Sequence, residues 1–553
     1  MSAASVASAV RSYLELRRSF QVYFSQPQTI EQGRELVRRR NEQREELFLT
    51  MARTRFCAPD SPYRPLLALA QCDYRDLEIM VRQRGLEFTL GRLQRAGVYL
   101  SYEEFTTGDV RREGRAFRWP VPGSSGRPTP SALSVRSGGT RSRGRWTYLP
   151  IEHVAEQTVP QYGIMLASLA RGDVPSVLWL LGFPSGAGVG TWFALAKIRR
   201  PAVRWFSLTP IPRGLIGRQG HHHLIIRTAH RTARRAGIPV PMPEFTPVRE
   251  AGKVLDAVQE ATRAAGGCCV FTTPSCAVRL SAEARQREAP LDGVVFITGG
   301  EPLTAAKAEE IRRVGARVYC YYALSEVGSF AAAPCGVPRE VDDMHFRSDA
   351  LGLVTVARQF GDVTVDTLMF TSLLPTAPRP LLNVQVDDFA SVVDRRCGCP
   401  WDDLGCRPHL VGVRSFTKLT GEGTTLLGTN CVHIIEHLLP RAFGGASTDY
   451  QLVEAEDEEG LTRLFLLISP RLGPLDGDTV IRRFREALAH TKSPGPGGGV
   501  RQVWDQAGSI RVLRREPIPT ALGKLLPFHT LGGALLSRPA DRSDTESATG
   551  VRR

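Results

Sequence analysis

The spacing of apolar and polar positions changes character several times along the 553-residue chain. Residues 12–55 carry a charged helical periodicity centred on RELVRRRNEQREELFLTMAR, and short amphipathic helices follow to about Ala96. Gly97–Leu100 leads into SYEEF, which reads as a strand and a turn. Residues 111–145 are rich in Gly, Ser, Pro and Arg and poor in long apolar runs, so they read as exposed loops with one short strand at Ser131–Val135.

From about 150 to 350 short apolar runs alternate with amphipathic segments, the mark of α/β layering. The pattern predicts strands at Val177–Leu181, Val203–Leu208, Cys269–Thr272, Gly293–Thr298 and Val318–Tyr322. It places helices near Glu152–Arg171, His221–Arg235, Val254–Ala265 and Ala305–Val314, and from Glu326 onward. Residues 350–412 read as antiparallel strands joined by turns. Beyond Arg414 a smaller α+β pattern follows: helix 431–439, strand 461–468, helix 478–489, a Pro/Gly linker at 493–499 and strand 509–514. The polar residues 537–553 are expected to be a disordered tail.

One run, Val174–Ala196, is uncharged and long enough to span a bilayer. It is interrupted by Gly182-Phe183-Pro184-Ser185-Gly186-Ala187-Gly188, so it reads as a buried strand, a glycine-rich turn and a buried helix from near Val189. MSAASVASAV reaches Arg11 without an apolar signal-peptide core. The expectation is a soluble, cytoplasmic protein without a membrane partner.

Composition adds little to this picture and removes several classes. At 42% hydrophobic and 23% charged residues the chain is neither a disordered tail nor a multi-span membrane protein. Its net charge of +15 admits a nucleic-acid or membrane partner. Only six of the 71 basic residues are lysine, however, and the arginines are scattered without a long run, so no nucleic-acid partner is expected. Eleven cysteines, an odd number thinly spread, do not make a disulfide framework.

Three segments could carry chemistry. Ser137-Gly138-Gly139-Thr140-Arg141-Ser142-Arg143-Gly144 follows the apolar SALSV; small residues let backbone N–H groups close round a phosphate, and the hydroxyls add donors. By itself such a stretch is more often an exposed loop. Gly299-Gly300-Glu301-Pro302 follows VVFIT, at what would be the carboxyl edge of a sheet, where open α/β sheets bind ligands; the alternative is a simple tight turn. In Tyr321-Tyr322-Ala323-Leu324-Ser325-Glu326 an aromatic ring can stack on a base and a carboxylate can hold Mg²⁺ beside phosphates, although a buried Tyr and a helix-starting Glu would read the same way.

In this order the segments resemble the ANL superfamily of adenylate-forming enzymes, closest to the phenylacetate–CoA ligase branch and the LuxE-type acyl-protein synthetases. The resemblance covers roughly residues 95–530. It implies an α/β adenylate-forming fold with a large layered N-terminal domain and a small mobile α+β C-terminal domain. Residues 1–95 would be a helical lead-in, 96–412 the adenylation core, 413–536 the lid and 537–553 the tail.

By resemblance Ser137, Gly138, Gly139, Thr140 and Ser142 belong to the phosphate loop, and Gly300, Glu301 and Pro302 match the family's Gly-Glu-Pro. Tyr322 would line adenine, Ser325 contact phosphate or acyl-adenylate, and Glu326 hold Mg²⁺; Ala323 stands where the family has Gly. Thr272-Thr273-Pro274-Ser275 resembles the branch's Thr-Pro-Ser strand end. Pro380-Leu381-Leu382-Asn383-Val384-Gln385-Val386-Asp387-Asp388 places the ribose-binding carboxylate on Asp388, with Asp387 in place of Gly. Arg414 matches the Arg near the hinge, followed by Ser415-Phe416 where Asp-Asp is usual, and Gly428-Thr429-Asn430 resembles Gly-Val-Asn. Arg511–Lys524 resembles the strand and turn that deliver the adenylation lysine, here Lys524.

The implied reaction is ATP-dependent activation of a small carboxylic acid to an acyl- or aryl-adenylate, then transfer to a thiol of CoA or of an acidic acyl carrier protein. A non-thiol acceptor such as an amine, and a non-catalytic nucleotide-binding relative, remain alternatives. The acid and the oligomeric state, a homodimer included, stay open.

Cys397-Gly398-Cys399-Pro400 and Cys406 lie within ten residues, and thiolates so spaced can share a tetrahedral structural Zn²⁺. Cys335 is the fourth expected ligand and His345 an alternate, as in some members of the branch. Cys268, Cys269, Cys276 and Cys320 sit in apolar strand contexts and are expected in the core. His221-His222-His223 reads as a helix start. Trp192, Phe193, Trp205 and Phe206 could line a pocket but have the spacing of core residues.

Overall fold

In a computed structural model the described residues are 3–120, 132–136, 146–170, 173–182, 185–210, 217–360, 363–415, 418–421, 424–427, 434–445, 449–456, 461–490, 510–518 and 528–529. Ser137–Gly144, Gly428–Asn430, the 493–499 linker, Lys524 and the 537–553 tail lie outside them, as do the side chains of His221–His223.

The alternating middle of the chain builds a six-stranded, all-parallel sheet. Its spatial order is Arg317–Cys320, Val294–Thr298, Cys268–Thr272, Ser176–Leu180, Arg204–Ser207 and Glu244–Phe245. Strands Ser176–Leu180, Cys268–Thr272 and Val294–Thr298 are buried at every position, as covering helices on both faces require. Trp192, Phe193, Trp205 and Phe206 are core residues, as are Cys268, Cys269, Cys276 and Cys320.

Residues 322–415 form a second, antiparallel sheet. Its order is Tyr322–Leu324, Ser329–Pro334, Met344–Phe346, Pro408–Ser415, Val384–Asp394, Val363–Ser372 and Leu351–Phe360. A smaller C-terminal α+β unit pairs Ile510–Arg514, Thr462–Ile468, Tyr450–Glu456 and Phe528–His529, with helix Gly477–His490 contributing Val480 and Phe484 to its own apolar core. The molecule is thus a large layered α/β part followed by a small α+β part. No helix among the described residues is long and apolar enough to cross a membrane; Val174–Ala196 resolves into strand, turn and helix Gly186–Lys197.

Several local expectations are corrected. SYEEF is not a strand and turn but helix Tyr102–Thr107, because Ser101 and Glu104 close a reciprocal capping box. The expected strand Val318–Tyr322 ends at Cys320, and Tyr322 starts a strand of the other sheet. No helix starts at Glu326. Gly328 turns the chain at φ +77°, and Ser329–Pro334 becomes a buried central strand whose alanines let large neighbours pack close. Sheet pairing overrides the helical propensity of an alanine run. The helix expected near Glu152–Arg171 runs unbroken from Ile151 to Leu169, with a π-helical turn at Val154–Thr158 inside it. Helix Pro274–Gln286 and strand Tyr450–Glu456 were not anticipated from the pattern.

Residues 3–95 are helical, and they are built into the large part. Phe24 stacks on Phe193, Phe20 and Tyr23 pack against the same ring tilted and edge-on, and Phe48, Leu77 and Leu90 belong to the core cluster that contains both sheets.

Candidate active site and metal-ligand cluster

The parallel sheet brings its carboxyl ends to one edge, and three of the flagged segments leave from neighbouring strands there. Thr273-Pro274-Ser275 follows Cys268–Thr272, Gly299–Pro302 follows Val294–Thr298, and Tyr321–Glu326 follows Arg317–Cys320. Gly299 is glycine because any Cβ there would overlap the Tyr321 ring, and Gly300 turns the chain at φ +88°. The Glu301 carboxylate is buried and accepts the Ser275 N–H at 2.5 Å, with the buried Lys307 ammonium 3.9 Å away. This ties the Gly-Gly-Glu-Pro turn to the start of helix Pro274–Gln286.

At Tyr322 the chain passes from the parallel to the antiparallel sheet. The Tyr322 hydroxyl donates to Asp388 Oδ2 at 2.5 Å, 66 residues away in sequence. Burial pushes the Tyr322 phenol well up, and Asp388 and Glu326 push it further, so it remains a donor. Glu326 is half-buried and accepts the Ser325 hydroxyl at 3.1 Å. Asp387 is bound by Ser415: its hydroxyl donates to the Asp387 carbonyl at 3.1 Å and lies 3.3 Å from its carboxylate. Arg414, one residue earlier on the same strand, pairs with Asp342 at 3.0 Å. The structure therefore brings Tyr322, Ser325, Glu326 and Asp388 together, with Gly300–Pro302 on the adjoining strand end. The phosphate-loop residues and Lys524 lie outside the described residues.

A second cluster lies at the other end of the antiparallel strands. Cys335 Sγ, His345, Cys397 Sγ and Cys399 Sγ have ligand atoms all within 4.8 Å of one another. His345 Nδ1 lies 2.5 Å from the Cys406 carbonyl and its Nε2 3.0 Å from Cys399 Sγ, so the main chain holds the ring with Nε2 toward the sulfurs. Cys406 is not brought into the group: its thiol accepts from Asn41 Nδ2 at 3.2 Å, and His345 takes the fourth position. The Cys335 thiol holds Cys399 far below the usual thiol range, helped by His345, while Cys335 itself is driven far up by the same bond. Three thiols and an imidazole in this arrangement suit a tetrahedral Zn²⁺. Around them His409 bonds Asp343 at 2.5 Å, and Arg395 pairs with Asp343 and reaches Cys335 Sγ at 3.7 Å. Burial pushes the Asp343 carboxyl up, but His409, the Arg339 N–H and Arg395 together hold it at about 2.

One group near the first site was not foreseen. His153 is buried at the start of the Ile151–Thr158 segment and faces the turn that follows Glu326. A lone His in an amphipathic stretch has no sequence pattern to mark it.

The chain thus has a large part, in which the carboxyl edge of a parallel sheet meets an antiparallel sheet, and a small C-terminal α+β part. No family model matches the chain, and no curated protein matches it in sequence. Among solved structures it is similar to 2-hydroxyisobutyryl-CoA ligase in complex with 2-HIB-AMP and CoA in the thioesterification state. The TM-score is 0.52 at 14% identity, over 89% of this chain and 90% of that one. The postadenylation state of the same ligase with 2-HIB-AMP matches at TM-score 0.44 and 13% identity, over 92% and 91%. At its identity the first of these likenesses establishes the fold alone.

Proposed function

We propose that the chain is an AMP-forming acid–thiol ligase: it activates a carboxylic acid with ATP to an adenylate and passes the acyl group to a thiol. The observation that carries the reading is the meeting of Tyr322 and Asp388 beside Ser325 and Glu326 at the junction of the sheets. A flat aromatic face suits adenine, a carboxylate suits the ribose hydroxyls, and a second carboxylate with a hydroxyl suits a phosphate-bound Mg²⁺. The residues fit Mg²⁺ because Glu326 and Ser325 offer hard oxygen donors, and when bound the ion neutralises phosphate charge. Asp388 and Tyr322 orient the nucleoside, and Ser325 donates toward phosphate or adenylate.

Arg414, held by Asp342, would stand near the pivot of the small domain. The phosphate loop Ser137–Gly144 would hold the phosphates, and Lys524 would stabilise the charge that develops as pyrophosphate leaves. CoA and an acidic acyl carrier protein are both anionic, which matches the net +15. The Cys335–His345–Cys397–Cys399 group would hold a structural Zn²⁺.

ATP–pyrophosphate exchange over a panel of carboxylic acids tests the reading. The wild type should exchange with at least one acid, and Lys524→Ala should lose about 100-fold or more, as for removal of a principal charge stabiliser. No exchange with any acid, together with no ATP binding, overturns it. Product mass spectrometry with CoA and with carrier proteins identifies the acceptor.

A further inference from the structure

The turn Tyr322–Gly328 carries Ser325 and Glu326, and it is held from beneath. Gly328 has φ +77°, and a methyl group there would lie 2.5 Å from Pro378 Cγ and 3.0 Å from His153 Nε2. The turn thus rests on His153 and Pro378 with no room for a side chain. His153 Nε2 is buried beneath Gly328 and has no hydrogen-bond partner among the described residues. Its Nδ1 lies 3.3 Å from Thr376 Oγ1. The Thr376 hydroxyl donates to Glu156 Oε2 at 2.8 Å. Glu156 is held in turn by Arg40, which lies 3.4 Å from its carboxylate and 2.6 Å from its carbonyl.

A chain of polar contacts therefore runs from the N-terminal helix Ile30–Glu42 to His153, whose ring packs under Gly328 of the turn. Just beyond it, Thr158 Oγ1 and Ser329 Oγ lie 2.8 Å apart, joining the same helical segment to the first residue of the next strand.

We propose that His153 is a positioning residue: it pins the Val327–Gly328 end of the turn to the Arg40–Glu156–Thr376 network and so sets where Ser325 and Glu326 stand. The inference rests on the adenylation reading for its effect on rate, but not for the pinning itself. A side chain acting through the turn, rather than on the acid, should change what Glu326 does and leave acid binding alone. Misplacement of a reacting group by about 1 Å costs on the order of 100-fold in rate.

Full-length wild type, His153→Leu, His153→Gln and Thr376→Val are compared in two measurements. In amide hydrogen exchange, segment 322–330 should exchange about tenfold faster in His153→Leu and Thr376→Val, with strand Cys268–Thr272 unchanged. In ATP–pyrophosphate exchange both variants should lower kcat and raise the half-saturating Mg²⁺ concentration by about tenfold, with the KM for the acid unchanged. His153→Gln, which keeps a polar side chain able to bond Thr376, should recover most of both. Unchanged hydrogen exchange at 322–330 in His153→Leu and Thr376→Val overturns the pinning. Faster exchange there with an unaltered Mg²⁺ dependence overturns the positioning role. If His153→Leu does not fold, Thr376→Val carries both measurements. A wild type that exchanges with no acid refutes the adenylation reading and the positioning of its groups, whereas the hydrogen-exchange result still decides the pin.

Discussion

At the scale of single residues, the chemistry rests on groups whose neighbours fix their protonation. Tyr322 can only donate to Asp388, because burial first and the surrounding carboxylates second keep its proton in place. His153 is the opposite case. Burial is the largest cause of its lowered pKa, with Arg40 and Arg347 adding to it; Val327 and Gln157 pull the other way, and the result is about 4. Its folded pKa thus lies below the unfolded value of about 6.5.

A histidine depressed in this way stabilises the fold fully above the unfolded pKa. The contribution is lost as pH falls toward the folded value, because the unfolded chain then binds a proton that the folded one refuses. The window is pH 6.5 to 4, and the loss across it amounts to about 3 kcal/mol. Urea unfolding of wild type and His153→Gln at pH 7 and pH 4.5 should show a steeper fall for the wild type; parallel falls would remove the assignment to His153.

At the scale of elements, the antiparallel sheet has the candidate-site residues Asp388 and Arg414 toward one end of two paired strands and the Cys/His group toward the other. Cys335 and His345 come from neighbouring strands, and Cys397 and Cys399 from the loop between strands Val384–Asp394 and Pro408–Ser415. A bound ion would therefore staple that loop to the sheet. The purified chain should contain one Zn²⁺ per molecule by elemental analysis. Cys399→Ser and His345→Ala should lose it, and Cys406→Ser should keep it, since Asn41 and not the cluster holds that thiol. Loss of metal in Cys406→Ser with retention in His345→Ala would reverse the ligand set.

The sequence spacing marked Cys397, Cys399 and Cys406 as one group. It could not show that the short helix Pro400–Asp403 between them turns the Cys406 sulfur away while its carbonyl orients His345. Tyr322 and Asp388 were likewise legible from their segments, but their contact was not, because it joins two strands of the antiparallel sheet 66 residues apart in sequence.

At the scale of the whole molecule, the N-terminal helices are part of the large unit's core. Leu16, Phe20, Tyr23 and Phe24 are buried, the three aromatic rings meet Phe193 and Trp192, and the Lys197 ammonium donates to the Tyr23 carbonyl at 2.9 Å. Burial lowers the Lys197 pKa to about 8, and removing Tyr23 would leave that amine without its acceptor. Removal of residues 1–25 would uncover this aromatic face, and burying each such side chain contributes about 1.5–3 kcal/mol. The truncated chain should melt well below the full-length protein and aggregate on heating; an unchanged Tm would place the helix outside the cooperative core.

The sequence by itself determined the class of fold and the inventory of chemistry. Strand periodicity, glycine-rich turns and carboxylates at fixed offsets are local signals, set by backbone geometry within a few residues. Only the tertiary structure decided that the Ala-rich stretch after Glu326 is a strand, that His345 completes the sulfur group, that Tyr322 donates to Asp388, and that His153 lies under the turn. Each of these depends on contacts between residues far apart in the chain, where burial and sheet pairing outweigh local preference.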